Sequence, residues 1–187
     1  MPRPEDCSKR KRLRLSHYKV QAFALMAGME ARPTRLICPK EVMMTKVDET
    51  FFEAFRKRVA AQEISRFWQL ELEDVGPGRA RVSMVCRPEM ANIMGMVHGS
   101  AIFALIDEAF QAAVNGHGTV AVALNMNLTF HAAAKMGERL VASTRELRAG
   151  RRTATYFIEV TDPRGGLIAS CQALAYRKDT PWEFGKA

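Results

Sequence analysis

The chain has 187 residues, 48% of them apolar, which suits one domain with a real core and leaves two domains crowded. Its formal net charge of +8 is unevenly spread: residues 1–45 hold ten Lys/Arg against four Asp/Glu, and the rest hold 18 against 16, so the body is nearly neutral. The four cysteines, Cys7, Cys38, Cys86 and Cys171, stand far apart with no CxxC spacing, which argues against a dense disulfide framework or a zinc site and for reduced thiols in a cytoplasmic protein.

The first segment carries Lys9-Arg10-Lys11-Arg12-Leu13-Arg14 and then a mildly apolar run from Val20 to Met29. A basic block before an apolar run imitates a signal peptide, but this run is short, weakly hydrophobic and followed by no cleavage region. No helix-turn-helix or finger pattern accompanies the charge, so residues 1–45 read as a solvated basic extension, disordered or partly helical, rather than a nucleic-acid-binding element. The folded domain is expected over residues 46–187.

Val47 to Ser65 reads as one amphipathic helix. Asp48 or Thr50 can cap it, and Phe51, Phe55 and Val59 fall on one stripe, with acids early and bases later as the helix dipole prefers. Arg66 to Val75 alternates around Trp68, Leu70 and Leu72, Gly76-Pro77-Gly78 turns the chain, and Arg79 to Cys86 alternates through Ala80, Val82 and Met84. That period of two predicts two strands joined by a tight turn.

From Ser100 to Val114 nearly every position is apolar, on every face a helix could have. Such a helix is buried on all sides, and at ~15 residues it is short of the ~20 needed to span a bilayer. Asp107 and Glu108 sit inside it, where a carboxylate is costly unless paired or put to use. The alternative to a working site is that Asp107 is a paired acid at a dimer contact and Glu108 the partner of a surface arginine. Just upstream, Gly99 allows a sharp turn that leaves backbone N–H groups at the positive end of the dipole, suited to a developing oxyanion. Asn115-Gly116 is expected to close the helix through a left-handed cap.

Downstream, Val120, Val122, Leu124, Met126, Leu128 and Phe130 share one face of a long strand. Strands at about Arg139–Leu147, Arg152–Thr161 and Leu167–Tyr176 follow, separated by turns at 148–151 and 162–166. The sum is an α+β domain in which an antiparallel sheet of five to six strands curls around one buried helix.

Asn92, His98-Gly99, Phe103-Ala104-Leu105-Ile106-Asp107, Ala109-Phe110 and Asn115 together resemble the signature of the hotdog-fold thioesterases of the phenylacetic-acid-pathway (PaaI) type. The resemblance runs to about Lys178. It implies a hotdog fold and an acyl-CoA thioesterase: Asp107 as nucleophile or general base, the Gly99 N–H as oxyanion donor, Asn92 positioning water or thioester, and His98 holding the loop beside the thioester. It also places Asn125 near the attacking water. Asn92 and His98 could equally serve only their loop's backbone.

Two departures stand out. Ser100 replaces the second glycine of the family's His-Gly-Gly, and Phe130-His131-Ala132-Ala133-Ala134-Lys135 replaces its Arg-Pro pair. Lys135, Arg151 and Arg152 are candidates for the displaced grip on coenzyme A phosphates, and Phe103 for the acyl pocket. No metal or cofactor is expected beyond the coenzyme A of the substrate.

Gly99 and Asp107 lie eight residues apart, ~12 Å along a helix, so one thioester cannot touch both unless a second copy lends one of them. The resemblance likewise implies homodimers with shared sites, often paired into homotetramers, with acyl-CoA as partner and neither membrane nor nucleic acid. The alternative is a non-catalytic acyl-CoA-binding hotdog module or transcriptional regulator using the basic N-terminus.

Overall fold

The computed structural model describes residues 47–184. The basic segment, the apolar run from Val20 to Met29, Cys7 and Cys38 lie outside the described residues. Helix α1 (Glu49–Ala60) starts where Asp48 accepts a hydrogen bond from the Phe51 N–H at 3.0 Å, and it buries Phe55 and Val59. Glu49 in the first turn and Lys57 and Arg58 in the last follow the dipole.

The single helix expected over Val47–Ser65 is in fact two, and the strand expected from Arg66 begins only at Glu71. A short helix α2 (Glu63–Trp68) intervenes and ends on Gln69, which takes a left-handed conformation at φ 55°. Its cause is tertiary. The Ser65 hydroxyl is buried and donates to Glu108 on the central helix at 3.0 Å, which anchors a helix that continues through residues 66–68, where the apolar alternation alone reads as strand.

Six strands form one antiparallel sheet: β1 (Glu71–Gly76), β2 (Arg79–Val85), β3 (Thr119–Phe130), β4 (Arg139–Ala149), β5 (Thr153–Thr161) and β6 (Leu167–Pro181), in the order β1-β2-β4-β5-β6-β3. Helix α3 (Gly99–Asn115) packs across its inner face. Ala101, Leu105, Ile106, Ala109 and Phe110 are buried there, and Phe110 meets the fully buried Tyr156 of β5 edge-on, with ring centroids 5.4 Å apart. None of the described helices is long and apolar enough to cross a membrane.

Three expectations change in this region. The central helix is not covered on every side: Ser100, Phe103 and Asp107, one stripe at helical spacing, are exposed. The helix does not end in a left-handed cap, because Gly116 has φ −60°. Gly116 is instead a point of close approach, since a Cβ there would stand 2.6 Å from the Gly76 carbonyl oxygen. Finally, β3 does not present one unbroken apolar face. Its register against β6 slips between Ala123 and Asn125, which reverses the alternation: Ala121 is buried before the slip, and Met126 and Leu128 pack on the core after it.

Asn115 joins these parts. Its Oδ1 accepts from the Ala121 N–H at 2.8 Å and from Trp182 Nε1 at 2.9 Å, while its Nδ2 donates to the carbonyls of Gln111 and Ala121. The helix end, the start of β3 and the chain beyond β6 are thereby held at one point. Replacing Gly116 by Ala should lower stability by ~1–3 kcal/mol, the usual effect of overpacking; an unchanged urea midpoint would show that this approach is looser than described.

Candidate active site

Helix α3 organises the site from its N-terminus. The loop before it is tied by Asn92, whose Oδ1 accepts from the N–H groups of Met94 at 2.8 Å and Met96 at 3.1 Å. His98 is the N-cap: its Nδ1 accepts from the Ser100 N–H at 3.0 Å and lies 2.7 Å from Ser100 Oγ. With Nδ1 accepting, a neutral imidazole carries its proton on Nε2, free to donate outward. Gly99, the first residue of the helix, finds no acceptor for its N–H among the described residues. The Phe130 ring lies against it, and a Cβ on Gly99 would stand 2.9 Å from Phe130 Cζ, so a larger residue here would displace that half-exposed ring.

Asn92, His98, Gly99 and Ser100 are thus gathered at one end of α3, and Phe103 follows one turn on, 39% exposed. Asp107 lies two turns from Gly99, ~12 Å along the axis. It is exposed at the surface, yet the surrounding protein removes enough water to hold its pKa above the ordinary 3.8.

Glu108 faces the other way. It is buried and finds no arginine: its carboxylate accepts from Ser65 at 3.0 Å, Gln111 at 3.3 Å and Gln62 at 3.5 Å. Burial raises its pKa, and the neighbouring Asp107 raises it further. The amides of Gln62 and Gln111 also bond each other at 3.2 Å.

Beside Asp107 opens a cavity of about 490 Å³ between α1, α3 and the first half of β3. Phe55, Val59, Phe110, Val114, Val122 and Trp182 supply apolar wall, and Arg58, Gln62, Gln111 and Asn115 supply polar groups. Its size and apolar lining suit a small organic ligand. Of the motif residues marked from the sequence, Asp107, Phe110 and Asn115 border it, and Asp107 is the one of them with an expected catalytic role. The contributions of α1 and Trp182 went unmarked: the stripe of α1 was legible, but its facing partner was not.

The remaining sequence candidates are dispersed. Asn125 is exposed on β3, its Oδ1 accepting from Asn127 Nδ2 at 2.6 Å. Lys135 follows β3 at the Gly99 end of the sheet. Arg151 and Arg152 occupy the β4–β5 turn at the opposite end, where Arg152 donates to the Tyr176 hydroxyl at 2.7 Å and Arg151 lies 4.0 Å from Asp179. One chain therefore does not gather Lys135, Arg151 and Arg152 around one phosphate group. Cys86 and Cys171 are buried and unbridged, and burial pushes the Cys86 thiol up to about 11, which leaves it inert.

The thioesterase superfamily profile matches residues 94–169, from the loop before α3 into β6. A crystal structure of a mutant of the phenylacetic acid degradation protein PaaI of Thermus thermophilus is 32% identical and superposes with a TM-score of 0.60, covering 63% of this chain and all 100% of that one. The chain belongs to the thioesterase superfamily. An Archaeoglobus fulgidus protein named as a candidate esterase is 42% identical over 100 residues, 54% of this chain and 65% of that protein, so the match spans just under two thirds of that relative's length. The acyl-coenzyme A thioesterase PaaI of Escherichia coli is 28% identical over 108 residues, 58% of this chain and 77% of that protein. The superfamily profile match begins after α1 and α2, so the α1 wall of the cavity lies outside that match.

The raised pKa of Asp107 has a consequence for stability. A carboxyl whose folded pKa exceeds its unfolded value favours folding most below the unfolded pKa, and this contribution is lost as pH rises through the folded pKa. At pH 7 the fold therefore carries an unfavourable charge at Asp107. Asp107→Asn should raise the denaturation midpoint at pH 7, and the gain should vanish below the ordinary 3.8, when the wild-type carboxyl is protonated in both states. A variant less stable than the parent at pH 7 would contradict this.

Proposed function

We propose that this chain is an acyl-CoA thioesterase that hydrolyses an acyl or aryl-acyl thioester to the free acid and coenzyme A. The observation that carries this reading is Asp107: an acid with a desolvation-raised pKa, opening on an apolar cavity, on the helix that begins with the free N–H of Gly99. Thioester cleavage asks for a base and a polarising donor, and a base whose pKa lies closer to neutrality abstracts protons better. The relative from Escherichia coli named an acyl-coenzyme A thioesterase supports the same activity.

In this mechanism Asp107 takes a proton from water as the water oxygen bonds to the thioester carbonyl carbon. The carbonyl oxygen gathers negative charge and accepts from the Gly99 N–H, with the positive end of the α3 dipole behind it. Collapse of the tetrahedral intermediate breaks the C–S bond. The thiolate leaves as coenzyme A and takes up the proton held by Asp107, so water and thioester become acid and thiol. His98, with its Nε2–H directed outward, serves as a second donor near the thioester, and Asn92 holds the loop that presents it.

The acid and the N–H are too far apart on one helix for one carbonyl, so the working unit is a homodimer in which α3 of one copy lies antiparallel to α3 of the other. The exposed Phe103 stripe supports this arrangement. So does β3, an edge strand of 12 residues whose Val122, Leu124 and Phe130 are 41%, 55% and 52% exposed. A long apolar edge left open invites aggregation, and pairing β3 with its copy covers it. A dimer of such dimers is the further assembly we assign.

A panel of acyl-CoA thioesters assayed for free thiol tests the reading, with Asp107→Ala and Asp107→Asn beside the parent. Both variants should lose turnover by at least ~10²-fold, as removal of a general base does, while sedimenting as the same dimer. Hydrolysis by Asp107→Asn at the parental rate would remove Asp107 from the chemistry.

A further inference from the structure

The polar groups of the cavity differ in how far they are already used. Gln62 and Gln111 bond each other and Glu108. Asn115 spends both amide hydrogens and its Oδ1 on the backbone and Trp182, whose Nε1–H is thereby spent too. The side chain of Arg58, an exposed residue, makes no hydrogen bond or ion pair among the described residues. It faces the cavity because Phe55, Arg58 and Val59 form one stripe of α1, with Gln62 just beyond the end of that helix. Arg58 and Asp107 are the charged residues of the lining.

The direction of α1 places Arg58 relative to the reacting acid. Just past its C-terminal end, Gln62 reaches Glu108 and Gln111, past the middle of α3. Its earlier Phe55 meets Trp182, which is bonded to Asn115 at the far end of α3. The two helices therefore run antiparallel, and Arg58, within α1 and four residues before Gln62, stands further along the cavity from Asp107 than Gln62 does. An acyl chain with its thioester carbonyl at Asp107 passes the apolar walls and ends near a free guanidinium.

We propose that Arg58 reads the far end of the acyl chain, so that the preferred substrates are short acyl-CoA thioesters ending in a carboxylate. This rests on the thioesterase reading above and adds the class of substrate. A carboxylate entering an apolar cavity loses hydration, and only a charge-assisted partner offsets that loss. The arginine fork, planar and with paired N–H donors, is the side chain best matched to it. A plain alkyl chain would leave the exposed guanidinium bonded to water alone and gain nothing from it.

The test compares hexanedioyl-CoA with hexanoyl-CoA, equal in length and differing in the terminal carboxylate. The parent should show the higher kcat/KM with hexanedioyl-CoA. Arg58→Ala should lower the ratio of the two kcat/KM values by ~10- to 100-fold, mainly through KM, as expected for loss of hydrogen bonds to a charged group. Arg58→Lys should restore part of the ratio, and Arg58→Glu should favour hexanoyl-CoA. A ratio that is the same in parent and Arg58→Ala overturns the assignment of Arg58 and leaves the thioesterase reading standing, because hexanoyl-CoA turnover reports the chemistry separately. Absence of thiol release from every acyl-CoA by the parent overturns both.

Discussion

The structure depends on where the cover over helix α3 stops. The curled sheet takes up Leu105, Ile106, Ala109 and Phe110, and α1 and α2 lie along another side. The stripe through Ser100, Phe103 and Asp107 is left open. An acid at that boundary is neither fully hydrated nor fully buried, so its proton affinity rises while it stays in reach of a ligand. Deeper in the core the same carboxyl would need a dedicated set of partners, and Glu108 shows what that takes.

Glu108 and Asp107 are consecutive residues with opposite tasks, divided by the ~100° turn between neighbours on a helix. Glu108 is enclosed by Ser65, Gln62 and Gln111, and through them it fastens the α1–α2 hairpin to the central helix. That hairpin is the wall of the cavity into which Asp107 opens. The positions of acid and wall are thus coupled through one buried carboxylate. At the other end Asn115 does similar work, binding helix, strand and Trp182 together.

The open stripe and the open edge of β3 belong to one surface problem. A helix stripe carrying Phe103 and a twelve-residue edge strand carrying Val122, Leu124 and Phe130 are apolar surface beside unpaired backbone. In the dimer we propose, a second copy would cover both at once and would bring an N–H within range of an acid that its own helix holds too far away.

The sequence by itself determined the α+β class, the central helix and the six strands, because period-two and helical apolar patterns are local properties of the chain. It marked Asp107 and Gly99 through chemistry: an acid in an apolar run, and a glycine at a helix start. Tertiary structure decided the rest. Ser65, expected at the end of a helix, reaches a carboxylate 43 residues away and holds a helix that runs on through residues 66–68, expected as strand. A one-residue slip against β6 reversed the alternation of β3. Gly116 matters through a backbone oxygen of the β1–β2 hairpin. The cavity joins Arg58 to Asp107 although they stand 49 positions apart, because packing between segments, which no local periodicity records, decides which stripes face each other.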